Sequence, residues 1–148
     1  MASFHHTGMT VSSLERALAF WGDALGAEVV MRQDRQGGYF ETIVGEHGVD
    51  VRTAMVAIGG EGHRIELFEY RSPRAGSVAP RSADVGFSHI CLACDDLDAV
   101  LARLLAAGGV AVSDPVAVDS GVNAGGRAVY VRDPDGHTIE LFTPPPAA

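Results

Sequence analysis

At 148 residues, 47% hydrophobic and 20% charged, the chain has the apolar content of a globular protein with a sizeable core. A formal net charge of −8 argues against nucleic acid or an anionic membrane as a partner, and no apolar run is long enough to span a bilayer. All eleven basic residues are arginine, which excludes chemistry built on a lysine Schiff base.

No signal-peptide pattern opens "MASFHHTGMT", so a cytoplasmic location is expected. Residues from His6 to Val11 alternate as a strand. A Ser12-x-x-Glu15 capping box then predicts a helix with Leu14, Leu18, Trp21 and Leu25 on its apolar face, stopped at Gly26. Strands are expected at Val29–Arg32, Val51–Ile58 and Arg64–Glu69, with an inserted loop carrying Tyr39, Phe40, Glu41 and His47. "RSPRAGSVAPRSADV", residues 71–85, has the composition of a linker.

Beyond it the same order returns. "GFSHICLACDD" reads as a strand. Asp95 or Asp96 caps a helix with Leu97, Val100, Leu101, Leu104 and Leu105, and Gly108-Gly109 ends it. Strands follow at Val110–Val112, Arg127–Arg132 and Thr138–Phe142, the last two joined by the turn "RDPDGH". The chain is thus expected to be α+β: two β-α-β-β-β modules, 1–70 and 86–143, with a linker at 71–85 and an irregular tail at 144–148. Together they should form one structural domain.

The tetrad "IELF" occurs at Ile65–Phe68 and again at Ile139–Phe142. On a strand, Ile and Leu face one way, towards the helix, and Glu and Phe the other. His6 lies opposite the apolar pair Met9 and Val11; His89 shares parity with Phe87 and Cys91. A single histidine or glutamate in such a place is more often a satisfied structural residue. Here the cost of a carboxylate in an apolar strand recurs at equivalent places. Two imidazoles and two carboxylates suit a divalent transition metal. Cys91 and Cys94, three apart on a strand, read as two buried reduced thiols rather than a redox pair.

"HHTGMTVSSLERALAFWGDALG", "HRIELFEY", "FSHICLACDDLDAVLARLLAAGG" and "RAVYVRDPDGHTIELFTP" resemble, in order, the motifs of the vicinal oxygen chelate superfamily. That group includes glyoxalase I, methylmalonyl-CoA epimerase, extradiol dioxygenases and the fosfomycin and bleomycin resistance proteins. The resemblance implies paired modules whose mixed sheet curls around a metal cup, and a homodimer. It places metal ligands at His6, Glu66, His89 and Glu140, holding one divalent ion per chain (Mn, Co, Ni, Zn or Fe), with no other cofactor site. His5, out of phase on its strand, is left out.

Four ligands leave two open positions on an octahedral ion, which suits two adjacent oxygens of a small oxygenated substrate. Ring cleavage needs a further position, and bleomycin-binding relatives generally lack the ligands. The implied reaction is therefore an isomerase or lyase proton transfer beside a carbonyl, epimerase-like or glyoxalase I-like, with Glu140 as base and Glu66 opposite. The inserted loop is similar to segments of sugar or cyclitol epimerases, which favours epimerisation slightly. A ligand- or antibiotic-binding protein is the first alternative and an extradiol-type dioxygenase the second. Arg64, Phe68, Tyr130 and Phe142 are expected to line the substrate; a surface ion pair suits Arg64 equally well. The Gly-rich stretch before Arg127 reads as a substrate lip or a plain connection.

Overall fold

Alternation at the start of the chain produces β1 (His6–Thr10), and the Ser12-Ser13 pair turns it into α1 (Leu14–Leu25). The cap is Ser13, whose side chain accepts the Arg16 N–H. The expected Ser12–Glu15 capping box does not form. Glu15 reaches instead to Arg32 at 2.9 Å and Arg52 at 2.8 Å, two full charges that outcompete one backbone amide. Leu14, Ala17, Leu18, Phe20, Trp21 and Ala24 are buried, and Gly26 ends the helix in the left-handed region.

Three longer strands follow: β2 (Glu28–Gln36), β3 (Asp50–Ala57) and β4 (Arg64–Ser72). The inserted segment is not all loop, since Tyr39–Val44 forms the short helix α2. Glycines at positive φ flank it, Gly37 and Gly38 before and Gly45 after, where a β-carbon would be strained. The second half supplies β5 (His89–Ala93), α3 (Leu97–Ala106), β6 (Val110–Ala111), β7 (Val116–Ala117), β8 (Arg127–Arg132) and β9 (Thr138–Thr143). Asp96 caps α3 through a bond from the Ala99 N–H.

The computed structural model describes residues 1–60 and 63–146; the last two residues of the expected tail lie outside them. The chain divides into two compact units, Met1–Ser77 and Val78–Ala148. In the first, a four-stranded mixed sheet runs β1-β4-β3-β2, with β1 parallel to β4. In the second, a five-stranded mixed sheet runs β5-β9-β8-β6, with β7 also on β8 and β5 parallel to β9. Each unit thus repeats strand, helix and returning strands. No described helix is long and apolar enough to cross a membrane.

One face of each sheet carries the core. Ile65, Leu67, Ala54 and Val56 are almost wholly buried on the face that packs on α1, as are Ile139, Leu141, Val129 and Val131 on the face towards α3. Glu69, on the α1 side of β4, accepts the Leu14 N–H at 2.8 Å and so ties the helix start to the sheet. Burying each of the Ile, Leu and Val side chains among them is worth about 1.5–3 kcal/mol.

The cysteines correct an expectation. Both are free thiols, but Cys91 is exposed and Cys94 only half-buried. Cys91 lies on edge strand β5, on the face away from α3, while Cys94 sits past the strand end with its sulfur 3.8 Å from the Phe142 carbonyl oxygen.

Candidate functional site

The repeat acquires its meaning from strand register. In unit 1, Gly8 pairs with Glu66 and Thr10 with Phe68; in unit 2, Cys91 pairs with Glu140 and Ala93 with Phe142. Each histidine stands two residues before the partner of its glutamate, on the same face. His6 Nε2 is 3.2 Å from Glu66 Oε2, and His89 Nε2 is 3.0 Å from Glu140 Oε2. Sequence positions 60 and 51 residues apart are thereby brought into contact in the same way twice.

Two ligands at about 2.0–2.2 Å from one ion and at right angles to each other stand about 3 Å apart. Both pairs have that spacing and the imidazole–carboxylate chemistry of divalent sites, so the donors fit a metal. Each unit has one such pair. Among the described residues, no group of three or more His, Cys, Asp or Glu side chains is gathered closely enough to hold an ion. The His5 ring meets that of His6, Nδ1 to Nδ1 at 2.8 Å, with one nitrogen donating and the other accepting according to the tautomers of the two rings.

The two carboxylates differ in surroundings. The Glu66 side chain is 9% exposed and Arg35 Nη2 lies 3.5 Å from its Oε1; that of Glu140 is 22% exposed, with His89 and Cys91 beside it. A buried carboxylate persists only when it is paired, and His6 and Arg35 together supply that pairing. Partial burial and the Glu140 charge push the Cys91 thiol up to about 11, so it is a neutral thiol at physiological pH.

Unit 1 has an open cavity of about 450 Å³ on the Glu66 face. Its polar lining is His6, Thr10, Arg35 and Glu66; Tyr39, Phe40, Phe68 and Tyr70 give the aromatic wall. Gly8 keeps the floor open, since a β-carbon there would come within 3.1 Å of the Phe68 ring. α2 covers the cavity through Phe40, stacked on Phe68 at 6.0 Å, and Phe68 continues to Tyr70 at 6.5 Å. Burial first, then the charges of Glu46 and Glu66, raise the Tyr70 phenol above its ordinary value, so it stays protonated.

Phe68 therefore lines the cavity as its parity suggests. Arg64 shares that strand face but sits exposed at the start of β4, opposite His6, and is not among the lining residues. Arg35 lines the cavity instead, one residue before the end of β2 and four before the start of α2. The strand expected from the sequence stops at Arg32, whereas β2 runs on to Gln36, and its pairing with β3 turns Arg35 inwards and Arg32 out to Glu15. In unit 2, Tyr130 pairs directly with Glu140 and its ring lies 5.1 Å from that of His89; Phe142 is on the same face. The Gly-rich stretch closes on itself, Gly125 N–H bonding the Val118 carbonyl, as a connection between β7 and β8.

The model of the Glyoxalase/Bleomycin resistance protein/Dioxygenase superfamily matches residues 3–141. A 2-epi-5-epi-valiolone epimerase from Actinomyces sp. is 34% identical over 97% of this chain and 80% of its own. A catechol-2,3-dioxygenase from Bacillus subtilis (strain 168) is 29% identical over 99% of this chain, which spans 45% of that protein. In fold, the chain is similar to a glyoxalase family protein from Bacillus cereus, with a TM-score of 0.85 at 22% identity, covering 99% of this chain and 96% of the other. Matched repeat, matched register and a family model spanning both units lead to one conclusion: the chain belongs to the glyoxalase/bleomycin resistance protein/dioxygenase superfamily.

Proposed function

We propose that the protein is a metal-dependent isomerase or lyase that moves a proton at a carbon next to a carbonyl, with epimerisation the favoured outcome. The observation that carries this reading is the pair of His–Glu contacts at 3.2 and 3.0 Å, identical in register and spaced as neighbouring ligands. His6, Glu66, His89 and Glu140 would hold the ion. When bound, it supplies Lewis-acid stabilisation of the negative charge that develops on the carbonyl oxygen.

Glu140 is the better base. It is the more exposed carboxylate, and among the described residues no arginine is paired with it, whereas Arg35 Nη2 lies 3.5 Å from Glu66 Oε1. Glu140 would take the proton as the C–H electrons shift towards the carbonyl and later release it to water, while Glu66, having first taken a proton from water, would be the acid that returns one to carbon. Return to the other face of the same carbon inverts it; return to the neighbouring carbon gives the glyoxalase-type shift. The likeness to an epimerase at 34% identity supports inversion. The likeness to a dioxygenase supports ring cleavage as a second reading, but the carboxylate of Glu66 would fill a position that dioxygen needs.

Elemental analysis of untagged protein tests the ligand set. About one divalent ion per chain is expected, reduced at least tenfold in affinity in both Glu66→Gln and Glu140→Gln. Protein that takes up no Mn, Co, Ni or Zn would sink this reading and leave a ligand-binding protein in its place. Deuterium exchange from solvent into a cyclic hydroxyketone, lost in Glu140→Gln, tests the chemistry separately.

A further inference from the structure

The two carboxylates of the repeat differ most in what stands beside them. Arg35 reaches Glu66 from edge strand β2, across β3, and the pair is largely out of water, with side chains 14% and 9% exposed. Glu140 has no such cation among the described residues. Its directly paired neighbours are Cys91 and Tyr130, both uncharged.

Arg35 is itself anchored. Nη1 donates to Thr53 Oγ1 at 2.8 Å, and Thr53, 1% exposed, donates onward to the Gln33 carbonyl at 3.0 Å. The guanidinium carbon stands 5.1 Å from the centre of the Phe40 ring of α2. A planar fork tied at one end and covered by a ring has little room to turn, and this leaves Nη2 facing Glu66 Oε1 at 3.5 Å. At that length the contact acts chiefly through charge, which is weakly screened where little water enters.

Stability alone gives the arrangement little support. The buried Nε has no partner among the described residues, and an unpaired buried donor is destabilising. A buried ion pair is, besides, no better for stability than apolar side chains of the same size. Its effect on Glu66 is geometric. Oε1 faces Arg35 and Oε2 faces His6 Nε2 at 3.2 Å, so each oxygen has its own partner and the carboxylate plane is set from both ends.

We infer that Arg35 is a positioning residue: it occupies Oε1 and turns Oε2 alone towards His6, which makes Glu66 the fixed carboxylate of the proposed metal set and Glu140 the one free to rearrange. The inference deepens the proposed function and rests on its reading of Glu66 as a ligand. A positive charge that did no positioning would act in the opposite sense, since it repels a divalent cation. The direction of change when Arg35 is removed therefore separates the two.

The test uses the full chain, freed of metal with chelator and titrated with Co(II), whose visible absorption reports its ligand set. Affinity and spectrum are read in wild type, Arg35→Met, Arg35→Lys and Thr53→Val, each checked for folding by melting without metal. Arg35→Met should bind Co(II) about tenfold or more weakly, with an altered visible band. Arg35→Lys should restore neither, because an ammonium cannot serve Thr53 and Glu66 together through a planar fork. Thr53→Val keeps the charge and cuts its anchor, and should weaken binding about fivefold. Unchanged or tighter binding by folded Arg35→Met, a wild-type band in that variant, full recovery in Arg35→Lys, or wild-type behaviour of Thr53→Val would each overturn the inference. Should Arg35→Met not fold, Arg35→Lys and Thr53→Val decide. Wild-type protein that takes up no Co(II) defeats the metal reading and the inference with it. Wild-type uptake of one ion per chain with the variants unchanged defeats the inference alone.

Discussion

Within "IELF", neighbouring residues have opposite duties, and substitution should separate them. Leu141 is wholly buried, while the Glu140 side chain next to it is 22% exposed. Leu141→Ala is expected to cost about 2–5 kcal/mol in chemical denaturation, through lost burial and the cavity left behind. Glu140→Gln, isosteric and partly exposed, should cost under about 1 kcal/mol in the metal-free protein. Similar losses for both would mean that the face assignment is mistaken. The parity behind this contrast was legible in the sequence because β-strand geometry allows two faces only. Arg35 was not legible, because the strand expected from the sequence stops short of it at Arg32, whereas β2 runs on to Gln36.

Among the elements, the β8–β9 turn has the most readable chemistry. "RDPDGH" predicts a hairpin, and the structure makes Asp133 its organiser: Oδ1 accepts the N–H groups of Asp135 at 2.9 Å and His137 at 2.8 Å. Asp133 is 5% exposed, and burial raises its carboxyl above the ordinary 3.8. An acid with a raised folded pKa holds its proton more tightly when folded. Its contribution is thus fully present below 3.8 and is lost as pH rises through the folded value. Asp133→Asn keeps the accepting oxygen without the charge. Its melting temperature relative to wild type should therefore climb between pH 4 and 7; a flat difference would show that the carboxylate pays no desolvation cost. The inserted segment is the element the sequence conveyed least. Six residues between glycines make too short a run for helical periodicity, and α2 is held by Phe40 against Phe68 rather than by its own pattern.

For the molecule as a whole, the metal proposed for His6, Glu66, His89 and Glu140 should stabilise the fold, because it binds the folded chain and not the unfolded one. At an ion concentration about 100 times Kd, binding adds about 2.7 kcal/mol, which for a chain of this size is about 5–10 °C in Tm. Differential scanning calorimetry with and without chelator measures it. Glu66→Gln in one unit and Glu140→Gln in the other should each remove most of the gain. A gain that survives both substitutions would place the ion elsewhere.

The sequence by itself determined the duplicated strand–helix–strand plan, the alternation of buried and open faces, and the four polar residues worth pursuing, because periodicity and repetition are properties of order along the chain. It also carried family membership, through motifs spread over both units. Tertiary structure decided that His6 meets Glu66 and His89 meets Glu140, that Arg35 rather than Arg64 enters the cavity, and that Glu15 leaves its helix cap for two arginines. Those outcomes depend on which strands pair and in what register. Competition among partners distant in sequence settles them, and order along the chain does not record it.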